Sequence, residues 1–92
     1  MSASLVLYHS EICPYCHRVR RFMAGAGIEL PLKDVNRDPE ARRELLAGGG
    51  SAMVPCLRIE QEGSVRWLYE SLDIIDYLRQ ASNISTTRGV TT

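Results

Sequence analysis

Leu5-Val6-Leu7-Tyr8 followed by Cys13-Pro14-Tyr15-Cys16-His17-Arg18 is the stretch that decides how this chain folds. A short apolar run, read as a buried strand over residues 4–8, gives way to a few polar residues, and from Pro14 the period of the pattern changes. Val19, Phe22, Met23 and Ala26 fall at i, i+3, i+4 and i+7, the apolar stripe of one helix. Pro14 suits the first helical position, where a missing N–H loses no partner. Gly25 and Gly27 end that helix. Two thiols therefore stand where a strand hands over to a helix. A spacing of i, i+3 places Cys13 and Cys16 on one face, the first exposed near unpaired N–H groups and the second a turn further in. Such a place favours a thiolate, the species that attacks disulfides. Cys13 reads as the attacking thiol and Cys16 as the resolving one. Arg18, Arg20 and Arg21 add positive charge nearby, with side chains directed into solvent.

Further along, Ile28 to Val35 alternates, with Ile28, Leu30 and Leu32 on one side of a second strand. Pro31 within it implies an edge position, because proline cannot donate to a ladder. Asp38-Pro39-Glu40 starts a second helix with an acidic cap and proline at its first position, and Gly48-Gly49-Gly50 stops it. Pro55 to Ile59 and Val65 to Tyr69 read as strands joined at Glu62-Gly63. Ser71 to Leu78 is the last helix, with Ile74, Ile75 and Leu78 inward. Residues 1–80 form one domain, and residues 81–92, without periodicity, read as a loose tail. The resulting order is β-α-β-α-β-β-α, opened by a right-handed βαβ crossover and closed by a hairpin.

Ninety-two residues, 45% apolar and 24% charged, suit a single small α/β domain. A net charge of zero argues against nucleic acid or an anionic membrane as partner. No run approaches the roughly 20 apolar residues of a spanning helix, and Met1-Ser2-Ala3-Ser4 shows no export signal. Three cysteines, two of them three apart, suit a reducing cytoplasm and not a secreted disulfide scaffold. Zinc would need two ligands beyond Cys13 and Cys16, and only Cys56, His9 and His17 remain, with no second paired knuckle. Cys13 to His17 also matches the haem-attachment pattern, but that site needs neither the upstream strand nor a βαβ context. No metal or permanently bound cofactor is expected. Cys56, on an apolar strand, reads as a buried thiol.

The segment from Tyr8 to Cys16, with His17 and Arg18, resembles the dithiol C-P-Y-C active site of the glutaredoxins. The resemblance extends to Met53-Val54-Pro55, similar to the family's T-V-P loop with its cis proline, and covers residues 4–80. It implies a thioredoxin-like fold with a four-stranded mixed sheet of order 2-1-3-4 and three helices. Tyr69-Glu70-Ser71-Leu72-Asp73-Ile74 resembles the E-S-x-x-I segment of glutathione transferase N-terminal domains. The resemblance implies glutathione as co-substrate, with Tyr15 beside the tripeptide and Pro55 shaping its groove. Met53 and Val54 would offer backbone contacts to it. Glu70 and Ser71 would take the γ-glutamyl end, a role suited to a carboxylate beside free helix amides. Ordinary helix capping is the plainer reading of that Glu-Ser pair.

The departures from the family are local. Its usual lysine before the first cysteine is Ser10 here, so Arg37 is the candidate replacement, ahead of Arg42 and Arg43. Met53 stands where threonine is usual, keeping the backbone contact without the hydroxyl. The expected protein partners are glutathionylated or disulfide-containing proteins, met by a monomer. A glutathione transferase is the first rival and would need a second helical domain after residue 80. A non-catalytic redox sensor that uses the same groove is the second. Electrons drawn from thioredoxin reductase instead of glutathione are a further possibility, since the thiol pair alone does not choose.

Overall fold

The computed structural model describes residues 3–90, with side chains described through residue 81. The elements follow as β1 (Ser4–His9), α1 (Pro14–Ala26), β2 (Leu32–Asp34), α2 (Pro39–Gly49), β3 (Cys56–Gln61), β4 (Ser64–Leu68) and α3 (Ser71–Val90). The sheet order is β2-β1-β3-β4. β1 and β2 are parallel, as a connection through α1 allows, and the other pairs are antiparallel. This is the 2-1-3-4 arrangement implied by the resemblance, with β2 at an edge.

β1 is buried on both faces because its side chains alternate between two cores. Leu7 enters one core with Val19 and Met23 of α1, Leu57 and Ile59 of β3, and Ile74, Ile75 and Leu78 of α3. Tyr8 enters the other with Val35, Ala41, Leu45 and Cys56, where α2 covers the sheet. The Tyr8 hydroxyl donates to Glu44 Oε1 at 3.0 Å, and Lys33 Nζ reaches the same oxygen at 2.7 Å. Burial first, then the Glu44 carboxylate, push the Tyr8 phenol up to about 12. Ala26, expected on the α1 stripe, is exposed instead, because the helix ends there and the chain turns away. Gly27 takes φ 70°, donating to Ala24 O at 3.4 Å while Ile28 N donates to Met23 O at 2.9 Å, a Schellman stop.

β2, α2 and α3 have other boundaries than the sequence reading gave, and β1, β3 and β4 differ from it by one or two residues at their ends. The second strand forms only at Leu32–Asp34, although Pro31 O accepts from Leu7 N at 3.0 Å. Proline has no N–H to return, so the ladder begins after it. Ile28 and Leu30 pack on the first core, whereas Leu32 is 46% exposed, so the three do not share a side. α2 runs through Gly48 and Gly49 to a left-handed Gly50 at φ 89°, so only the last of the three glycines is the stop. α3 continues to Val90, beyond Leu78, because no proline interrupts it and Ser, Thr and Asn weaken a helix without breaking it. The tail expected over 81–92 is thus helical through Val90, and residues 91–92 lie outside the described residues. The hairpin follows the sequence: Glu62 at φ 54° and Gly63 at φ 83° link Gln61 to its partner Ser64, as a two-residue type I′ turn requires. Among the described residues, no helix is long and apolar enough to cross a membrane.

The glycines of the helices differ in what surrounds them, and this yields a stability prediction. A Cβ at Gly25 meets nothing, whereas one at Gly48 would collide with the Trp67 indole and one at Gly49 with the Tyr69 phenol. Gly25→Ala should therefore stabilise by about 0.5–1 kcal/mol. Gly49→Ala should destabilise by about 1–3 kcal/mol as an overpacked contact. Denaturant titration of the two variants against wild type checks both signs, and equal effects would refute the packing account.

Candidate active site where β1 meets α1

Cys13 is the N-cap of α1, in extended conformation at φ −91° and ψ 119°. Its carbonyl accepts the first helical bond from His17 N at 3.0 Å. Its sulfur accepts from Cys16 N at 3.4 Å, filling the place that an oxygen fills in most caps. The thiol also donates to Val54 O at 3.8 Å, so the sulfur lies against the loop before β3. It is half-buried. Cys16, one turn on, is fully buried, and its Sγ accepts from Ser10 N at 3.4 Å. Burial pushes the Cys16 thiol up to about 12, and the neighbouring Cys13 adds to the rise. One sulfur is thus reachable at a helix N-terminus, and its neighbour is held as a protonated thiol beneath it.

The loop facing Cys13 contains the cis Val54-Pro55 peptide. Met53 is 67% exposed, and its N–H donates to Ser51 Oγ at 3.2 Å. Across from it, Ile74 N donates to Glu70 O at 2.9 Å, which makes Glu70 the cap residue of α3. Ser71 is therefore the first helical residue and not the cap, so capping does not account for its hydroxyl. Its backbone amide belongs to the unpaired first turn. Tyr15, Met53, Val54, Pro55, Glu70 and Ser71, all singled out in the sequence, line a single groove of ≈ 290 Å³.

Arg37 does not line that groove. It follows β2, exposed, with its N–H donating to Asp34 O at 3.2 Å. Arg42 and Arg43 do not line it either, and Arg43 is paired with Glu40. The cation in the groove is Arg18, which the sequence reading sent into solvent. It is exposed, yet its guanidinium carbon lies 5.8 Å from the Tyr15 ring centroid, turned along the helix. The signal was available as an i, i+3 pair, since an arginine three residues beyond an aromatic shares its helix face. Ser10, at the position of the family's lysine, is 4% exposed; its Oγ accepts from Asn36 Nδ2 at 2.6 Å and from Ile12 N at 3.4 Å.

The remaining histidine and cysteine of β1 and β3 sit deeper. His9 is 5% exposed, and its Nδ1 is buried without a protein partner. Burial, then the Arg20 charge, hold its imidazole below the ordinary range. Cys56 is fully buried in the core under α2, and burial pushes its thiol up to about 12.

Known proteins share the fold that carries this groove. The family profile described as glutathione S-transferase, N-terminal domain, matches residues 12–81. Glutaredoxin 3 of Escherichia coli (strain K12) is 27% identical over 60 residues, which cover 65% of this chain and 72% of that protein. Among solved structures, the maleylacetoacetate isomerase of Anaeromyxobacter dehalogenans 2CP-1, with glutathione bound in its active site, superposes with a TM-score of 0.67 at 26% identity. That match covers 89% of this chain, which spans only 39% of the isomerase. The glutaredoxin of Brucella melitensis, at 21% identity and a TM-score of 0.56 over 91% of this chain and 86% of that one, shares the fold. With its thioredoxin-like sheet and the profile matching most of its length, the chain belongs to the glutathione S-transferase N-terminal domain family.

Proposed function

We propose that this chain is a glutathione-dependent thiol–disulfide oxidoreductase that reduces disulfides and glutathione mixed disulfides. The observation that carries the reading is the half-buried Cys13 sulfur, which accepts from Cys16 N at 3.4 Å and lies 3.8 Å from the carbonyl oxygen of Val54, a residue of the Tyr15–Ser71 groove. An N–H aimed at a sulfur, together with the positive end of a helix, favours negative charge on it. The Cys13 thiolate attacks the glutathione sulfur of a mixed disulfide, the S–S bond breaks, and the protein thiolate leaves with the electron pair. The enzyme is then glutathionylated at Cys13. A second glutathione thiolate attacks the bound glutathione sulfur and releases oxidised glutathione, returning Cys13 as thiolate. Alternatively Cys16 attacks the Cys13 sulfur, its proton passing to the departing glutathione, and two further glutathiones reduce the Cys13–Cys16 disulfide.

The groove supports glutathione as the co-substrate. The backbone N–H and C=O of Val54 pair with the cysteinyl portion of the tripeptide as an added strand. Pro55 shapes that wall, Met53 contributes main chain, Tyr15 flanks the ligand, and Glu70 and the Ser71 amide take the γ-glutamyl end. Physiological substrates on this reading are cytoplasmic proteins carrying glutathione on a surface cysteine, and no permanently bound cofactor takes part. The transferase family profile favours a second reading, conjugation of glutathione to an electrophile. Conjugation of a generic aromatic electrophile that survives Cys13→Ser would replace the first reading with that one.

Two measurements follow. Intact mass after incubation with oxidised glutathione should show one stable adduct on Cys16→Ser, mapped to Cys13, while wild type resolves it. Cys13→Ser should lower hydroxyethyl disulfide reduction by about 10³-fold or more, as loss of a nucleophile does. A folded wild-type protein that forms no adduct and shows no turnover would overturn the oxidoreductase reading. Separately, iodoacetamide at about pH 7 to 9 should label Cys13 and leave Cys16 and Cys56, held protonated by burial, until denaturant is added. Peptide mapping reads the three sites, and labelling of Cys16 in the native protein would contradict its placement.

A further inference from the structure

We infer that Arg18 is a specificity-determining residue of this groove: its guanidinium takes the carboxylate of a γ-glutamyl head whose ammonium Glu70 takes, so that thiols carrying such a head are preferred. The inference rests on the oxidoreductase reading and adds the residue and the ligand feature that decide which thiol is used. A γ-glutamyl head carries an ammonium and a carboxylate on one carbon, so it is recognised by one anion and one cation set close together. Glu70 and Arg18 both line the groove, together with Ser71 and Leu72 at the start of α3 and with Val54, whose carbonyl accepts from the Cys13 thiol at 3.8 Å. The Glu70 carboxylate suits the ammonium. The Arg18 guanidinium, a planar fork of donors, suits the carboxylate, with the Ser71 amide as its second donor.

Arg18 is the cation available for this. Among the described residues, Lys33, Arg43, Arg58 and Arg79 are each committed to a carboxylate: Glu44, Glu40, Glu60 and Asp76. None of those four lines the groove, and Arg18 is in no such pair. The Tyr15 ring, 5.8 Å from the guanidinium carbon, offers it a face on the groove side of α1. Without Arg18 the lining would carry the Glu70 charge alone and would repel the ligand's carboxylates. With it, the lining is neutral and dipolar, the charge pattern of the head itself.

The test is steady-state reduction of hydroxyethyl disulfide with glutathione, γ-glutamylcysteine or cysteinylglycine as reductant, read as oxidised thiol formed. Cysteinylglycine lacks the γ-glutamyl head, and γ-glutamylcysteine lacks the glycine. Arg18→Gln should raise KM about tenfold for glutathione and for γ-glutamylcysteine, the loss of one charge-assisted contact. It should leave kcat within about twofold, the signature of lost ground-state binding. Cysteinylglycine should be used as poorly by the variant as by wild type, and Arg18→Lys should recover part of the KM. An unchanged glutathione KM in Arg18→Gln, or an equal loss with all three thiols, would overturn the assignment while leaving the oxidoreductase reading intact. A wild-type protein that turns over none of the three overturns the oxidoreductase reading instead. Matching denaturation midpoints among the variants tie the KM change to the ligand and not to the fold.

Discussion

The amino end of α1 is capped by the sulfur of Cys13, and that contact joins the local folding of the chain to its chemistry. A helix leaves its first N–H groups unpaired, and something must accept them. In most proteins a hydroxyl or carboxylate oxygen does so. Here the acceptor is the sulfur of the proposed nucleophile, 3.4 Å from Cys16 N. A charged acceptor makes a stronger hydrogen bond than a neutral one, so the same contact serves the helix start and the proposed chemistry. The cost is that the cap is weak while the sulfur is a neutral thiol. Pro14 offsets this in the covalent structure, since it holds φ near the helical value and removes one of the orphaned donors.

The contrast between the two thiols follows from the sheet beneath them. Cys16 lies one turn into α1, on the side that faces the core, and Val19 and Met23 continue that side. Burial there keeps it protonated, so in the proposed reaction it would not compete with Cys13 for an incoming disulfide. It is within reach of Cys13 once that sulfur carries glutathione, because the cap already holds the two residues together. On the proposed mechanism, burial does most to divide attack from resolution between two residues of the same type three positions apart. The same desolvation acts on Cys56 under α2, with no reactive neighbour to give it a use.

Most of the architecture was legible because each element carries its own punctuation. Pro14, Asp38-Pro39, Glu62-Gly63 and Gly27 stand where the structure starts, turns or stops. Where the reading missed the end of α2, the cause was tertiary. Gly48 and Gly49 look like a stop, yet they are inside α2 because the Trp67 and Tyr69 rings need a surface without a Cβ. That pairing joins residues distant in sequence, and no local pattern encodes it. β2 was shortened by a single missing N–H at Pro31, an effect the sequence does show. The groove was also largely visible, from Tyr15 to Ser71, since its residues came as short motifs. Arg18 was missed because arginines on an amphipathic helix are usually solvated, although its i, i+3 spacing from Tyr15 already set it on the face that lines the groove.

Ser10 explains why the groove's cation comes from a helix. The position is 4% exposed, and its hydroxyl accepts from Asn36 and from the Ile12 amide while its own N–H supports the Cys16 sulfur. A lysine there would have to break those contacts or bury its ammonium, and either is costly. The small residue ties β1, the reactive turn and the loop after β2 together, at the expense of a charge. With the charge carried on α1 instead, the proposed nucleophile and the cation ride on one helix, five residues apart. Their relation to Glu70 then depends on how α1 sits against α3. Val19 and Met23 of one helix meet Ile74, Ile75 and Leu78 of the other in a single apolar cluster over Leu7. The spacing of the two charges is therefore set by core packing and not by the loops that frame the groove.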